Sequence, residues 1–599
     1  MYLRHTTVRK NGKAHTYWRL VRSVRTGRGV QQVTVCQLGE LDEEGRLAAR
    51  ELADRLVGIE RQPGLFEDPV PSEPISLELS RLQLERGRRF GDVWLAWKLW
   101  QALRLDQLLS QLIPAGDEQV PWPLIATILV VARLCAPSSK LSLAESWFRK
   151  TALGDLLGVA DERVNDDRLY RALDRLLPHK EALERHLKER FGTLFGLEYD
   201  LLLYDITSTY FEGLRADVEL ARRGYSRDHR GDCLQVCIGL VVTRDGFPLG
   251  YEVFAGNRND STTLREVIER MESKYGRQNR IWAVDRGMVS EEHLDWLRQR
   301  GSQYIVGTPK SQLRRFEQSL LNGTWHQIPE GLQVQQVEVP DDKEQQARET
   351  FILCRSSDRA AKERAMRERF AQRIEEGLHR LQERCRRSKP GQLTSGAVER
   401  SVGRLMGRNT RAAGLFDVRV NGDEAGRTQL SWKRSAVLLG LAELRDGCYL
   451  LRTNVTDWKP EELWRAYIQL TDVEAAFRTQ KDELALRPIW HRLGHRIQAH
   501  ILVCFLGYAL QKTLEGWCDR AGLGRSPRKV LDELAHIHST DVTFPTTDGR
   551  TVRLRCIVRP DPPQEALLAR LGLDLPRRLR LPASPGSCNQ HPAPARAEM

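Results

Sequence analysis

The sequence has 599 residues, a formal net charge of +13 and an isoelectric point of about 9.3. This length predicts several domains, and a composition with 29% charged and 41% hydrophobic residues is typical of a globular chain. The longest apolar runs, at residues 124–136 and 501–510, are shorter than the roughly 20 residues that span a bilayer, which argues against a membrane protein.

The excess of positive charge indicates a polyanionic partner, which is either a nucleic acid or an anionic membrane surface. The charges at the N-terminus are followed by no apolar segment, so we predict no secretory signal. The eleven cysteines are scattered without a CxxC pair, and Cys233 and Cys237 are better explained as small buried thiols than as ligands. This pattern fits a reducing cytoplasm.

Residues 1–60 are predicted to form a basic β-hairpin module. Residues 1–39 contain eight Lys or Arg and no acid, and their alternating runs at 16–24 and 31–38 are separated by glycine-containing turns. Such a module either lies on a DNA backbone, with Tyr17 and Trp18 among its cations, or presents an ordinary solvated sheet face. A helix is predicted at 43–59.

Residues 61–80 contain four prolines and are predicted to be a linker. Helical periodicity then dominates residues 81–197, which we predict to be a helical domain. Trp94, Trp97 and Trp100 recur at helical spacing and are assigned to its core. Asn165 is predicted to cap a helix that begins at Asp166. The other predicted helices cover residues 93–109, 123–135, 143–148 and 180–195.

Strands appear in number after residue 198. The predicted order is β-β-β-α-β-α-β, with strands at 201–206, 234–242, 249–254, 281–284 and 304–306 and helices at 262–275 and 291–300. This order predicts an α/β fold whose core is a ribonuclease-H-like mixed sheet. The first part of the core covers residues 198–310.

Two of these strands end in an acidic residue. Asp205 follows the apolar run 201–204, and Asp285 follows the apolar run 281–284. Each aspartate alone is explained as a cap of the next element. Together with a third carboxylate they can bind hard divalent cations through oxygen, as phosphoryl transfer requires.

Residues 311–446 are predicted to be a β-rich insertion in the core. Strands are expected at 334–339 and 350–354, and residues 359–387 are predicted to be a charged helix. Residues 359–389 hold eleven Lys or Arg against five Glu. This helix is either simply solvated or suited to a phosphate backbone.

The second part of the core is predicted at residues 447–580, with a strand at 447–452. Residues 467–481 read YIQLTDVEAAFRTQK. One helix here places a glutamate, two cations and a phenol on one arc of roughly 100°; its members are Tyr467, Leu470, Glu474, Arg478 and Lys481. Val473, Ala476 and Phe477 lie on a neighbouring arc suited to packing.

Helices at 497–514 and 525–536 and a strand at 551–558 are predicted beyond this stretch. His491, His495 and His500 include an HxxxH pair, but no glutamate base or third ligand accompanies it, so zinc is not predicted. The arginines around them indicate DNA contacts or surface polarity. Residues 581–599 are predicted to be disordered.

The order strand-Asp, strand-Asp, helix-Glu resembles the DDE transposases of bacterial insertion sequences. Within them it is similar to the IS-four-type group, whose last block reads Tyr-x2-Arg-x3-Glu-x6-Lys. Tyr467, Glu474 and Lys481 match this block, whereas Leu470 stands at the Arg position. The resemblance covers most of the chain and includes the motifs Tyr204-Asp205-x-Thr207, Gly224-Tyr225-Ser226, Gly256-Asn257-x-x-Asp260 and Asp285-Arg286-Gly287.

The resemblance implies a ribonuclease-H-like catalytic core in which Asp205, Asp285 and Glu474 hold two Mg²⁺ or Mn²⁺ ions. It implies cleavage at insertion-sequence ends and strand transfer, carried out on double-stranded DNA by a homodimer in the bacterial cytoplasm. The residues that it assigns to DNA contact are Tyr467, Arg478, Lys481 and Arg286.

Several alternatives stay open at this point. A metal-dependent nuclease on the same fold would cut without joining, and an inactive relative would only bind DNA as a regulator. A phosphatase built on Asp205 lacks the second aspartate two residues on. Asp260 is a reserve candidate for the acidic site, although a turn-capping role explains it better. Leu470 leaves open whether a hairpin-ended intermediate forms.

Overall fold

The computed structural model describes residues 2–10, 13–26, 29–39, 76–213, 218–277, 279–329, 331–337, 349–422, 427–547 and 549–579. The helix predicted at 43–59, residues 61–75 of the predicted linker and the predicted disordered tail lie outside these residues. The chain divides into two compact units. The first comprises the described residues of Met1–Asp92, Lys150–Ala160 and Asp532–Met599, and the second those of Val93–Arg149 and Asp161–Leu531.

The first unit contains two antiparallel sheets. One has the order β1-β2-β3, with β1 at Tyr2–Lys10, β2 at Lys13–Thr26 and β3 at Gly29–Gly39. The other has the order β18-β17-β16-β4; its strands are β4 (Gln83–Arg89), β16 (His538–Pro545), β17 (Thr551–Ile557) and β18 (Arg578–Leu579). Helices at Leu153–Leu157 and Pro562–Leu571 complete this unit.

Residues 83–89 correct the prediction of an all-helical segment from 81 to 197. They form a strand because they pair with β16, which is far away in the sequence and was not predicted. A buried ion pair supports the same sheet, since Arg555 Nε lies 2.7 Å from Asp541 Oδ1.

The second unit begins with helices. They cover Gly91–Ala102, Leu105–Leu112, Trp122–Cys135, Lys140–Ser142, Asp166–Leu176 and Lys180–Phe195. The single helix predicted at 93–109 is two helices, because Arg104 adopts a left-handed conformation with φ of 53°. Trp94, Trp97 and Trp100 are buried as predicted, and Asn165 caps its helix by accepting from the amide of Arg168 at 2.9 Å.

The predicted domain boundary at residue 197 is not a boundary between compact units. The helix Trp122–Cys135 is buried around most of its circumference and packs against the helix Gly494–Arg520, whose residues 499–514 are all buried. Both belong to the unit that holds the large sheet. Burial of these two helices against each other joins the helical segment to the core.

The large sheet of the second unit has nine strands in the order β10-β11-β12-β15-β9-β8-β5-β6-β7. Strands β5 and β8 are parallel, as are β8 and β9, and the other neighbours are antiparallel. The strands predicted for the core are β5 (Leu201–Tyr210), β6 (Gln235–Thr243), β7 (Pro248–Ala255), β8 (Ile281–Val284) and β9 (Gln303–Gly307).

This arrangement confirms a mixed α/β fold and fits a ribonuclease-H-like core. Helices Leu264–Tyr275 and Glu291–Gln299 cover one face of the sheet. Their apolar side chains join those of the strands in one buried cluster that includes Tyr204, Trp282 and Tyr304.

Only part of the predicted insertion at 311–446 is separate from the large sheet. Three of its strands extend the large sheet: β10 (His326–Ile328), β11 (Leu332–Val337) and β12 (Thr350–Ser356). They do so because β12 pairs with β15, Cys448–Thr453, which follows the insertion in the sequence. The short helix Glu317–Asn322 precedes them.

The rest of the insertion has a core of its own. Helices Ser357–Arg387, Ser395–Arg408, Thr410–Ala413 and Ala436–Leu444 pack with the hairpin of β13 (Phe416–Gly422) and β14 (Thr428–Arg434). Their buried cluster includes Ile374, Leu378 and Val398.

The remaining helices of the second unit are Pro460–Ile468, Leu470–Arg478, Gly494–Arg520 and Pro527–Leu534, the last of which continues into the first unit. Within the described ranges, no single helix has the length and apolar character needed to cross a membrane. One pair, Trp122–Cys135 and Lys140–Lys150, passes that test only when joined across a bend of 102°.

Candidate active site

Asp205 and Asp285 occupy corresponding positions on two neighbouring parallel strands. Tyr204 of β5 pairs with Val284 of β8, and each aspartate is the next residue of its chain. Leu202, Tyr204 and Ile206 point into the buried cluster on one face, so strand alternation directs Asp205 to the other face. The register of these strands therefore brings the two predicted acids together.

The structure corrects one detail of this prediction. Strand β5 was expected to end at residue 206, with Asp205 emerging at its end, but it continues to Tyr210. It continues because β6 pairs with it over its whole length, up to Tyr210 opposite Gln235. Asp205 is thus fixed inside a strand, whereas Asp285 is exposed just beyond the end of β8.

Glu474 comes from a helix that packs on β5. The stretch 467–481, predicted as one helix, is interrupted after Ile468, and Leu470–Arg478 forms a second helix followed by a π-helical turn at Thr479–Glu483. Val473, Ala476 and Phe477 are buried, as the predicted packing arc required. Glu474 itself is exposed.

The three acids line one cleft of about 620 Å³. Tyr467, Leu470, Arg478 and Lys481 line the same cleft, so the residues of the predicted arc still face one space despite the break. Arg286 does not line this cleft. It lines a neighbouring cavity of about 450 Å³, which shares Asp285 and Tyr467 with the cleft.

The electrostatics of Asp205 show that the acids interact. Burial raises the pKa of its carboxyl, the amide of Ile206 and the cation of Arg227 lower it, and the charges of Asp285 and Glu474 raise it again. The resulting pKa is about 6. The raised pKa means that the ionised form of Asp205 is disfavoured in the cleft, and a bound cation would stabilise that form.

The donor set fits divalent metal ions in chemical type, because carboxylate oxygens are the ligands that Mg²⁺ prefers. Across the part of the chain that the structure describes, no three His, Cys, Asp or Glu side chains form a complete metal-binding group. Asp205, Asp285 and Glu474 therefore line one cleft but do not form a coordination shell. Repulsion between their like charges favours this separation.

Tyr467 lies against the second acid. Its hydroxyl donates to Asp285 Oδ1 at 3.5 Å, and burial raises the pKa of the phenol. The ring is also close to the sheet, since a Cβ added to Gly307 of β9 would lie 2.4 Å from the Tyr467 hydroxyl oxygen. Because Gly307 has no side chain, Tyr467 has room to reach the cleft.

Lys481 is paired inside the protein. Its Nζ lies 2.8 Å from Asp228 Oδ1, and Arg487 binds the same carboxylate. Both the lysine and the Asp228 side chain are buried, at 9% and 3% exposure, whereas Arg478 is exposed. Of the two cations predicted on this helix face, only Arg478 is presented to solvent.

Asp228 belongs to the site although no sequence pattern marked it. It lies in the loop between β5 and β6 and lines the cleft with Arg227. Only the pairing with Lys481 and Arg487, each more than 250 positions away along the chain, reveals its place.

Asp260, the reserve candidate, also lines the cleft. It forms an ion pair with Arg227, and the neighbouring turn is capped by Asn259, which accepts from the amide of Ser261 at 3.1 Å. The predicted turn cap is therefore Asn259 rather than Asp260. Asp260 instead holds the arginine that faces Asp205.

Two glycine motifs position this loop. A Cβ on Gly224 would lie 2.1 Å from the carbonyl oxygen of Gly256, and one on Gly256 would lie 2.0 Å from that of Gln235. The side chain of Gln235 joins the two segments by donating to the carbonyls of Tyr225 at 3.1 Å and Gly256 at 2.7 Å. These backbones approach so closely that only glycine fits.

The histidine segment was predicted to serve DNA contacts or surface polarity, and two of its histidines do not fit the second alternative. His500 is buried, and burial lowers its pKa well below the usual value. Burial also lowers the pKa of His491 to about 3, and the two rings lie 5.2 Å apart. His495 remains half exposed and contacts Asp174 at 3.1 Å.

Comparison with protein families agrees with this geometry. A family model described as a transposase DDE domain matches residues 197–510, more than half of the chain. A second model, the N-terminal domain of IS1634 family transposases, matches residues 3–63. A search of curated proteins finds no match.

The chain therefore belongs to the family of transposases with a DDE domain. The N-terminal match gives its type more narrowly, as a transposase of an insertion sequence.

Proposed function

We propose that this transposase cuts DNA at the ends of its insertion sequence and joins them to target DNA, with Asp205, Asp285 and Glu474 as the catalytic carboxylates. The observation that carries the proposal is that these three acids, distant in the sequence, line one cleft. Cleavage and joining are both in-line substitutions at phosphorus, so one such site serves both steps.

The three carboxylates are proposed to hold two Mg²⁺ or Mn²⁺ ions. When bound, such ions supply activation of the attacking oxygen and neutralisation of charge on the scissile phosphate. Asp205 contributes a fixed ligand because it is held within β5, while Asp285 and Glu474 are exposed and can adjust toward it.

The remaining cleft residues are proposed to bind the DNA strand. Arg478 is exposed and offers its guanidinium to a phosphate near the cut. Tyr467 orients Asp285 through its hydroxyl, and Arg286 contacts the strand from the neighbouring cavity. Lys481 acts indirectly, because its charge is held by Asp228.

Two copies of the chain are proposed to act together, because transposition joins two ends to one target. The charged helix Ser357–Arg387 and the basic sheet of β1–β3 supply further positive surface for the DNA backbone in this proposal. The setting is the bacterial cytoplasm, where the chromosome provides the target.

Substitution of each acid tests the proposal. Asp205→Ala, Asp285→Ala and Glu474→Ala should each abolish metal-dependent cleavage of an insertion-sequence end while binding of that end, followed by gel shift, is retained. Asp472→Ala is the matched control, because Asp472 lies on the same helix as Glu474 but does not line the cleft. Full cleavage by Glu474→Ala would remove that residue from the site.

A second assay separates the transposase from the nuclease and regulator alternatives. With a pre-cut end and Mg²⁺, the proposed activity yields a joined product, whereas a nuclease would cut further without joining. A regulator would neither nick nor join at any Mg²⁺ concentration.

A further inference from the structure

A smaller cavity, of about 260 Å³ and distinct from the one lined by Arg286, lies beside the cleft in the same compact unit. Arg487 lines both spaces. The other chemically active residues on the cavity wall are Arg133, Ser138, Lys140, His491 and His500. Its volume is below the roughly 300 Å³ at which pockets begin to hold drug-sized molecules, so it suits one small group.

Two cations of this cavity are buried. Arg133 is 6% exposed and Lys140 is 4% exposed, and neither forms an ion pair with any residue that the structure describes. Among the residues with described positions, Arg133 donates to the backbone carbonyls of Leu484 and Ala485, at 3.3 and 3.4 Å, and to no carboxylate. Buried charges are usually paired, so two of them without a carboxylate leave an excess of positive charge in the cavity.

The same excess of positive charge shifts the pKa values of the cavity residues. Burial lowers the pKa of Lys140 to about 7, and the charge of Arg133 lowers it in the same direction. The charges of Lys140 and Arg133 likewise lower the pKa of His491 and of His500. A bound anion would relieve each of these repulsions.

A buried acceptor on His500 limits the kind of anion that the cavity can bind. His500 is 5% exposed, and its Nε2–H donates to the carbonyl of Leu486 at 3.2 Å. In this tautomer Nδ1 is a buried acceptor, and it has no hydrogen-bond partner within the described part of the chain. The Ser138 hydroxyl likewise has no partner among the described residues. The cavity thus offers two cations and a hydroxyl as donors, with one lone pair as acceptor.

We propose that this cavity binds a phosphate group that still carries a hydroxyl, with Lys140, Arg133 and Ser138 donating to its oxygens and His500 Nδ1 accepting its P–OH. Hydrogen phosphate has this chemistry, and so does the singly protonated monoester at the 5′ end of a cleaved DNA strand, whose second pKa is about 6, whereas an internal phosphodiester lacks the P–OH. Only the second source depends on the function proposed above.

The experiment measures phosphate binding without metal or cleavage. The full-length Asp205→Ala protein in EDTA is titrated with inorganic phosphate, with a 5′-phosphorylated oligonucleotide and with the same oligonucleotide ending in a 5′-hydroxyl, by calorimetry and thermal melting. We expect phosphate to bind and to raise the melting temperature, with chloride at equal ionic strength as the reference.

The variants assign the binding to the cavity. Lys140→Met should raise the melting temperature without phosphate, because it replaces a buried unpaired cation, and should weaken phosphate binding at least tenfold. Ser138→Ala, which removes only a hydroxyl, should weaken phosphate binding severalfold. This variant keeps the test valid if Lys140→Met does not fold. Arg175→Gln is the control, since Arg175 is an exposed cation outside the cavity.

The outcomes separate the two sources. Tighter binding of the 5′-phosphorylated strand than of the 5′-hydroxyl strand, lost in Lys140→Met, supports a DNA end as the occupant. Binding of inorganic phosphate alone supports the cavity as a site for the free ion, even if the proposed cleavage activity fails. Equal phosphate binding by the Lys140→Met, Ser138→Ala and Arg175→Gln proteins would overturn the proposal.

Discussion

Lys481 Nζ lies 2.8 Å from Asp228 Oδ1, and both side chains are buried. This pairing joins the π-helical turn that follows the Glu474 helix to the loop that follows β5. Arg487 binds the same carboxylate and also pairs with Asp482 at 2.6 Å, so two cations and two aspartates form one network at the edge of the cleft.

Removal of the Asp228 carboxylate should strengthen DNA binding. In Asp228→Asn, Lys481 loses its carboxylate partner and becomes available to phosphates, whereas Arg487 still pairs with Asp482, so the slope of log affinity against log salt should steepen by about 1. Fluorescence anisotropy with an end-containing duplex across a KCl series measures this slope. Asp232→Asn is the control, since Asp232 pairs with Arg230 in the same loop but is 66% exposed. An unchanged slope would show that Lys481 does not reach DNA.

A methyl group at Gly307 should displace Tyr467. The added Cβ would lie 2.4 Å from the tyrosine hydroxyl, which must then leave Asp285. We expect Gly307→Ala to lower the cleavage rate by about 10–100-fold, as misplacement of a positioning group does, with little change in end binding. Gly287→Ala is the control variant, because Gly287 lines the same cleft and a Cβ there meets no atom within 4 Å. Equal rates for the two variants would contradict a positioning role for Tyr467.

The raised pKa of Asp205 predicts a pH dependence of stability. Its pKa is about 6 in the folded protein against an ordinary value of 3.8, so the folded chain binds an extra proton between these values. Stability from this group is therefore present below about pH 4 and is lost as the pH rises through 6. Asp205→Asn should raise the melting temperature at pH 8 in EDTA by a few degrees and should flatten the change between pH 5 and pH 8. Asp519→Asn, an exposed control on the helix Gly494–Arg520, should melt like the unmodified protein.

The same carboxyl predicts the pH dependence of cleavage. Divalent ions require the deprotonated form, so protons compete with metal below about pH 6. The cleavage rate at limiting Mg²⁺ should fall as the pH drops through 6 and should recover at higher Mg²⁺. A rate that stays flat from pH 7 to pH 5 would mean that Asp205 does not titrate in the working enzyme.

A substitution in the Gly256 motif should destabilise the loop that carries Arg227 and Asp228. A Cβ on Gly256 would lie 2.0 Å from the Gln235 carbonyl oxygen and 2.4 Å from that of Arg222, and backbone atoms cannot rotate away. Gly256→Ala should cost about 1–3 kcal/mol of unfolding free energy, as overpacking does, measured by urea titration. Gly231→Ala, with no atom within 4 Å of the added Cβ, should be close to neutral.

The sequence predicted the parts of the site that depend on local pattern. The apolar runs before Asp205 and Asp285 identified their strands, and the helical arc of residues 467–481 identified the residues that share the cleft. The family assignment followed from the order of these acids and is confirmed.

The parts that it missed depend on contacts between distant segments. Strand β5 extends past Asp205 because β6 pairs with it, and residues 83–89 are a strand because β16 pairs with them. The burial of Lys481 depends on Asp228, for which no local pattern exists. Hydrophobic periodicity carries no information about such partners, so these features could be identified only from the structure.

The position of β15 has a consequence for the growing polypeptide. This strand lies between β12 and β9 in the sheet, although it is made after both. A chain released before Cys448 would keep two unpaired strand edges, which favour aggregation, and would lack Glu474. At typical translation rates the third acid leaves the ribosome roughly 10–40 s after the second. We therefore expect a newly made or truncated chain that ends before Cys448 to lack the complete set of proposed catalytic acids and to be prone to aggregation.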